Sequence, residues 1–195
     1  MACSTLVREI AASCGSNLPG VKEVWIGAFD MATFTYTYLQ DMTDPDNPVD
    51  ILDNDGNKIP VSIATATLAT GASEMVKFNF RKNTASATNT LNVSDNGSNY
   101  FENAITMYFP KQDSDKRLSI MGLVQGETCA LVHDKNNNWW FYGLEDYLTV
   151  TEGTAETGAA PSDSNGYNVT LTATEKSLPL PVAIAAVETL TGLTL

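Results

Sequence analysis

Across residues 74–82, Val76, Phe78 and Phe80 alternate with Lys77, Asn79 and Arg81. A period of two sends successive side chains to opposite faces of an extended chain, so this segment is a half-buried strand and not a helix. The same alternation recurs at residues 33–39, where Phe34, Tyr36 and Tyr38 interleave with threonines. At residues 167–174, Tyr167, Val169, Leu171 and Ala173 face Asn168, Thr170, Thr172 and Thr174. Further extended runs occupy residues 24–29, 59–68, 100–109, 128–134, 139–142 and 144–151. Roughly nine or ten strands are therefore expected.

Turn chemistry separates these runs. Asp55-Gly56, inside Asp53-Asn54-Asp55-Gly56-Asn57, is a hairpin signal between residues 51–52 and 59–68. Asp134 opens the hairpin Lys135-Asn136-Asn137-Asn138, and Asp163 with Asn165-Gly166 makes a tight turn before residue 167. Asp44-Pro45-Asp46-Asn47-Pro48 interrupts strand structure, because proline suits neither a strand interior nor a ladder donor. One short helix is expected over residues 112–126, with cap residues at Asp113–Asp115 and Leu118, Met121, and Leu123 or Val124 at helical spacing. The expected architecture is mainly β: a two-sheet β-sandwich or barrel with one flanking helix, in a single domain spanning residues 1–195.

Two polar stretches stand out. Residues 83–99 contain Leu91 and Val93 among small polar residues, and read as a long loop or an exposed hairpin extension. Long connections in compact domains usually serve an interaction, which makes Asn83, Thr84, Thr88, Asn89, Leu91, Val93, Asn96 and Asn99 candidate contact residues; the resemblance described below would make these contacts between subunits. Residues 154–165 form a second Gly/Ala/Ser-rich loop. The tail from residue 183 to 195 is apolar with one charge, Glu188, and is expected to tuck into its own core or dock on a neighbour.

A search for chemistry finds no catalytic or metal constellation, and no cofactor is expected. His133 is the single histidine and sits in a strand pattern, so it has no second imidazole to ligate or relay with. Cys3, Cys14 and Cys129 are an odd set without CxxC spacing, which argues against a disulfide framework, although Cys3 with Cys14 is a conceivable pair. The Asp53–Asn57 run departs from a calcium loop: Gly56 stands at its fourth place, and Ala64 where the glutamate is needed. Glu145-Asp146 and Asp113/Asp115 lie in polar settings rather than across a cleft. Trp139-Trp140-Phe141-Tyr142 would be a stacking platform on one face at most, since neighbours in a strand point apart; core and interface roles fit better.

Charge narrows the function further. The chain carries 23 Asp and Glu against 11 Lys and Arg, a formal net charge of -12. An acidic surface repels phosphates, so gripping nucleic acid is disfavoured, whereas solubility or unhindered passage of DNA is compatible. No apolar run approaches the roughly 20 residues that span a bilayer, and residues 1–20 lack the order of a secretory signal, so folding in a cytoplasm is expected.

Residues 130–134 (Ala-Leu-Val-His-Asp) followed by residues 138–144 (Asn-Trp-Trp-Phe-Tyr-Gly-Leu) resemble a hairpin of the phage tail tube protein family, in particular virion proteins of phages infecting gut Bacteroidetes. Gly158, then Asp163-Ser164-Asn165-Gly166-Tyr167 and its strand, then Glu175-Lys176 and the Pro-rich segment, is similar to that family's later part. Cys14, Pro19-Gly20-Val21 and the strand around Ile26 are similar to its start. The resemblance covers the last third of the chain and the first strand. It implies a structural, non-enzymatic subunit that self-assembles into hexameric rings. The rings stack into a tube, inner strands form a shared barrel, and viral DNA passes without specific binding. It also implies a place in the virion tail, contacts with other tail or neck proteins, and no membrane partner. A neck, ring or capsid decoration protein is the alternative, and a carbohydrate-binding sandwich using Trp25, Trp139 or Trp140 a further one.

Overall fold

The computed structural model describes residues 17–41, 48–53, 56–95, 97–160 and 162–195. Its strands are β1 (Val21–Ala28), β2 (Ala32–Tyr38), β3 (Gln40–Asp41), β4 (Val49–Asp50), β5 (Pro60–Leu68), β6 (Val76–Phe78) and β7 (Ala85–Val93). They continue with β8 (Asn99–Pro110), β9 (Thr128–Asp134), β10 (Trp139–Tyr142), β11 (Thr149–Glu156), β12 (Gly166–Glu175) and β13 (Leu180–Pro181). Helix α1 (Ser114–Gln125) links β8 to β9, and α2 (Ile184–Thr191) follows β13. The fold is mainly β, as expected.

A five-stranded sheet, ordered β13-β10-β9-β1-β6, faces a four-stranded sheet, ordered β11-β12-β8-β7. Between them Val24, Ile26, Ala130 and Val132 meet Ile105, Met107, Val169 and Leu171. The far face of the five-stranded sheet is covered too. Trp25, Cys129, Leu131 and Phe141 pack on Ile63 and Ala66 of β5 and on Ala186, Val187 and Leu190 of α2. The sandwich therefore carries a third layer, the β2–β5 pair with α2. Its presence explains why β9 is buried from Thr128 to His133 without alternation: a strand covered on both faces needs apolar residues at every position.

Several expectations change in detail. Gly56 has φ 83° and the turn it ends is closed by the amide of Asp53 donating to the Asn57 carbonyl at 2.8 Å, but only the bridge Leu52–Lys58 joins its arms. β5 instead pairs with β2, because Phe34, Tyr36, Ile63 and Ala66 belong to one apolar cluster. Asp55 lies outside the described residues. Of the two readings of residues 83–99, the hairpin extension is the one found: β7 pairs with β8 in register from Ala85 opposite Met107 to Val93 opposite Asn99, so most of the stretch is strand and not loop. The first part of the second polar stretch also shifts: β11 runs to Glu156, with an irregularity between Val150 and Glu152. Backbone pairing to β12 holds it there without large side chains.

The helix expected after β8 is present, capped by Asp113, whose Oδ1 accepts from the Lys116 amide at 2.9 Å. Its apolar residues do not all turn inward: Leu123 is buried, while Leu118, Met121 and Val124 are exposed. The apolar tail is α2, tucked into the chain's own core and ended by Gly192 at φ 66°. The left-handed conformation there suits glycine.

Candidate functional site

Among the described residues, no third layer covers the outer face of the four-stranded sheet. Registers set which residues share its outer face. Thr106 is opposite Thr170 and opposite Ser86, and Thr170 is opposite Glu152. Alternation then places Thr88, Thr90, Glu102, Tyr108, Thr172 and Thr154 on that same face, while Asn103, Ile105, Met107, Val169 and Leu171 point to the core. The hydroxyls of Thr106 and Thr170 lie 3.2 Å apart across the ladder. No Lys or Arg occurs in β7, β8, β11 or β12, whereas Glu102, Glu152 and Glu156 stand on the outer side. The strands of the outer face thus present hydroxyl, amide and carboxylate groups and no cation.

Both edges of this sheet are open: among the described residues β7 pairs only with β8, and β11 only with β12. Natural edges are normally protected, and an exposed edge of eight or nine residues is a template for pairing with another strand. Beyond the sandwich the β7–β8 hairpin projects with little cover. Leu91 is 53% exposed and Val93 69%, with Tyr100 beside them.

The candidate assembly residues distribute over this hairpin. Asn83, at φ 66°, accepts from Lys135 Nζ, and Thr84 donates its hydroxyl to the Arg81 carbonyl at 2.7 Å. These two anchor the base of β7. Thr88 lies on the outer face, Asn89 is hydrogen-bonded to the buried Tyr142, and Leu91, Val93 and Asn99 form the projecting part. Asn96 lies outside the described residues.

The turn residues act through defined contacts. Asp134 Oδ1 accepts from the amides of Asn136 and Asn138, both at 2.8 Å, and Oδ2 accepts from Trp140 Nε1 at 3.2 Å. Burial raises the Asp134 pKa, but these donors outweigh it and hold the carboxyl below its ordinary range. Asp163 Oδ2 accepts from the amides of Ala159 and Ala160, which lowers its pKa as well. The Asn165 carbonyl accepts from the Lys111 amide and the Tyr108 hydroxyl, joining the turn to the end of β8. Gly166 is required for closeness rather than for turn geometry, since a Cβ there would collide with the Phe109 carbonyl.

One polar cluster was missed in the sequence reading. Glu175, 4% exposed, accepts from Asn103 Nδ2 at 2.5 Å, the Leu144 amide at 2.6 Å and the Glu145 amide at 3.1 Å. It clamps the loop after β10 onto the β8–β12 pair. Burial raises its pKa, and the three donors oppose that without overcoming it. The signal was available: Asn103 and Glu175 occupy core-facing parity in alternating strands, where a polar residue needs a partner.

His133 stacks on Trp139 with ring centroids 4.0 Å apart and faces Asn137 Oδ1 at 3.0 Å. Desolvation lowers its pKa. Trp25 and Trp139 are buried and Trp140 is half-buried, so these rings do not form an exposed stacking surface. Among the described residues no group of His, Cys, Asp and Glu is arranged to hold a metal, and no helix is long and apolar enough to cross a membrane. No protein-family model, curated protein or solved structure matches the chain.

Proposed function

We propose that this protein is a structural subunit of a phage tail tube, joining copies of itself through the β7 and β11 edges into rings whose inner wall is the four-stranded sheet. The observation that carries the reading is the pairing of two open edges with an uncovered face that holds no cation. DNA is retained by Lys and Arg that neutralise phosphates, so a wall of hydroxyls, amides and carboxylates lets a duplex slide.

Strand direction supports ring closure. All pairings in the sheet are antiparallel, so β7 and β11 run in opposite directions. A rotated copy can then extend the ladder without reversing it, and hexameric closure would remove every free edge. The projecting hairpin, with Leu91, Val93 and Tyr100 exposed, suits contact with the next subunit or ring. Other tail or neck proteins would cap the stack within the virion, after assembly in the host cytoplasm.

Negative-stain microscopy of the concentrated, purified protein tests this. Sixfold rings that polymerise into hollow tubes are expected. Rings of another symmetry that never stack would shift the reading to a neck or ring protein, and binding to capsid faces would shift it to decoration. A persistent monomer would remove it.

A further inference from the structure

Taking edge-to-edge assembly as its premise, we infer that the joint between copies is an electrostatic clasp, in which Glu156 of one copy meets Arg81 and Lys82 of the next. Both halves lie at the same end of the four-stranded sheet, on opposite edges. Ser86, Thr106, Thr170 and Glu152 share one level across the four strands. One turn further along, Pro110 is opposite Gly166 and Gly166 opposite Glu156. On the β7 side the ladder reaches Thr84, whose carbonyl accepts from the Tyr108 amide at 2.9 Å. Arg81 and Lys82 stand just before it at the base of β7, in a turn closed by the Thr84 amide donating to the Arg81 carbonyl at 3.2 Å.

All three side chains are exposed, and among the described residues none has an ion-pair partner within the chain. Their neighbours differ in this respect: Lys116 is held by Asp113 at 3.0 Å and Lys77 by Glu23 at 2.9 Å. The chain thus leaves opposite charges free at the two edges that the ring must join.

The arrangement also selects the kind of symmetry. A two-fold joint of β7 on β7 would be antiparallel as well, but it would carry Arg81 and Lys82 to opposite ends of the joint, far from any β11 carboxylate. A two-fold joint of β11 on β11 would stack glutamates of one sign along one seam. Only the head-to-tail joint of β11 on β7 brings unlike charges together, and head-to-tail joints are those that close into rings. Charge of this kind sets register and partner choice more than raw affinity.

The test uses two full-length variants: R81E/K82E, acidic at both edges, and E156K, basic at both edges. Each alone is expected to lose rings and tubes by about tenfold or more, measured by sedimentation and microscopy, with unchanged circular dichroism and melting temperature. An equimolar mixture is expected to recover assembly, because acidic and basic copies can alternate around an even-numbered ring. Wild-type assembly should also weaken as salt screens the joint. If the wild type forms tubes and either variant alone does so equally well, the clasp is wrong and the tube reading survives. If both variants fail alone and their mixture also stays unassembled, the clasp is again wrong. A wild type that never assembles removes the clasp together with its premise.

Discussion

Replacing Glu175 probes the one buried carboxylate that links the sheet to the loop after β10. In Glu175→Ala, the donors Asn103 Nδ2 and the amides of Leu144 and Glu145 lose their acceptor. Each buried donor left unsatisfied costs about 1–3 kcal/mol. Two of these contacts are half-buried and gain some water, and the burden of a buried charge disappears, so the net loss should be about 2–4 kcal/mol. With a urea m-value of about 2 kcal/mol/M for a domain of this size, the midpoint should fall by about 1–2 M. Glu175→Gln keeps an acceptor for the two amides and offers an N–H to Asn103 Oδ1, a buried atom without a partner, after a flip of the Asn103 amide. It should stay within about 1 kcal/mol of wild type at pH 7.

The pH dependence separates charge from packing. Burial raises the folded pKa of Glu175 above the ordinary value of 4.5. A raised carboxyl contributes stability that is present below the unfolded value and lost as pH rises through the folded value. Wild type should therefore lose stability relative to Glu175→Gln between pH 4 and pH 7, as followed by urea unfolding at each pH. A midpoint for Glu175→Ala within about 0.3 M of wild type would refute the clamp.

Gly166→Ala should destabilise by about 1–3 kcal/mol in thermal melts, because the new methyl meets the Phe109 carbonyl across the β8–β12 ladder. Asp134→Ala should cost about 1–3 kcal/mol at pH 7. Since the folded pKa of Asp134 is depressed, the wild-type advantage should be present above the unfolded value of 3.8 and vanish as pH falls through the folded one, as read by urea titration at pH 7 and pH 3. Leu91→Asp with Val93→Asp should leave the melting temperature within about 2 °C, because both side chains are exposed, yet abolish tubes in the microscope. Cys129 is buried and its thiol is pushed up to about 12. In a chain with Cys3 and Cys14 replaced by serine it should react with a thiol reagent only upon unfolding, and rapid native labelling would contradict its placement.

Local physics was enough for much of this protein. Alternation along β2 and β12 marked strands and their buried faces, because a period of two is a property of the extended backbone itself; the same pattern at residues 74–82 yielded only β6, with Val76 exposed rather than on a buried face. The turns at Asp134 and at Asp163–Gly166 were legible for the same reason, as their side chains bond to amides two to four residues away or to their own hairpin. Helix α1 was visible from its cap, but the exposure of Leu118 and Met121 was not, since helical spacing says which residues share a face and not what covers it. For small-residue strands such as β7 the alternation was too weak to choose between loop and hairpin, and the later part of β11 read as a loop: their extended form comes from a ladder with partners distant in sequence. The third layer, the Asn103–Glu175 contact and the placement of Arg81 and Lys82 at the same end of the sheet as Glu156 all depend on long-range pairing. By itself the sequence determined a β-rich chain with polar extensions and no catalytic set; only the tertiary structure decided that two open edges and a cation-free face belong to one sheet.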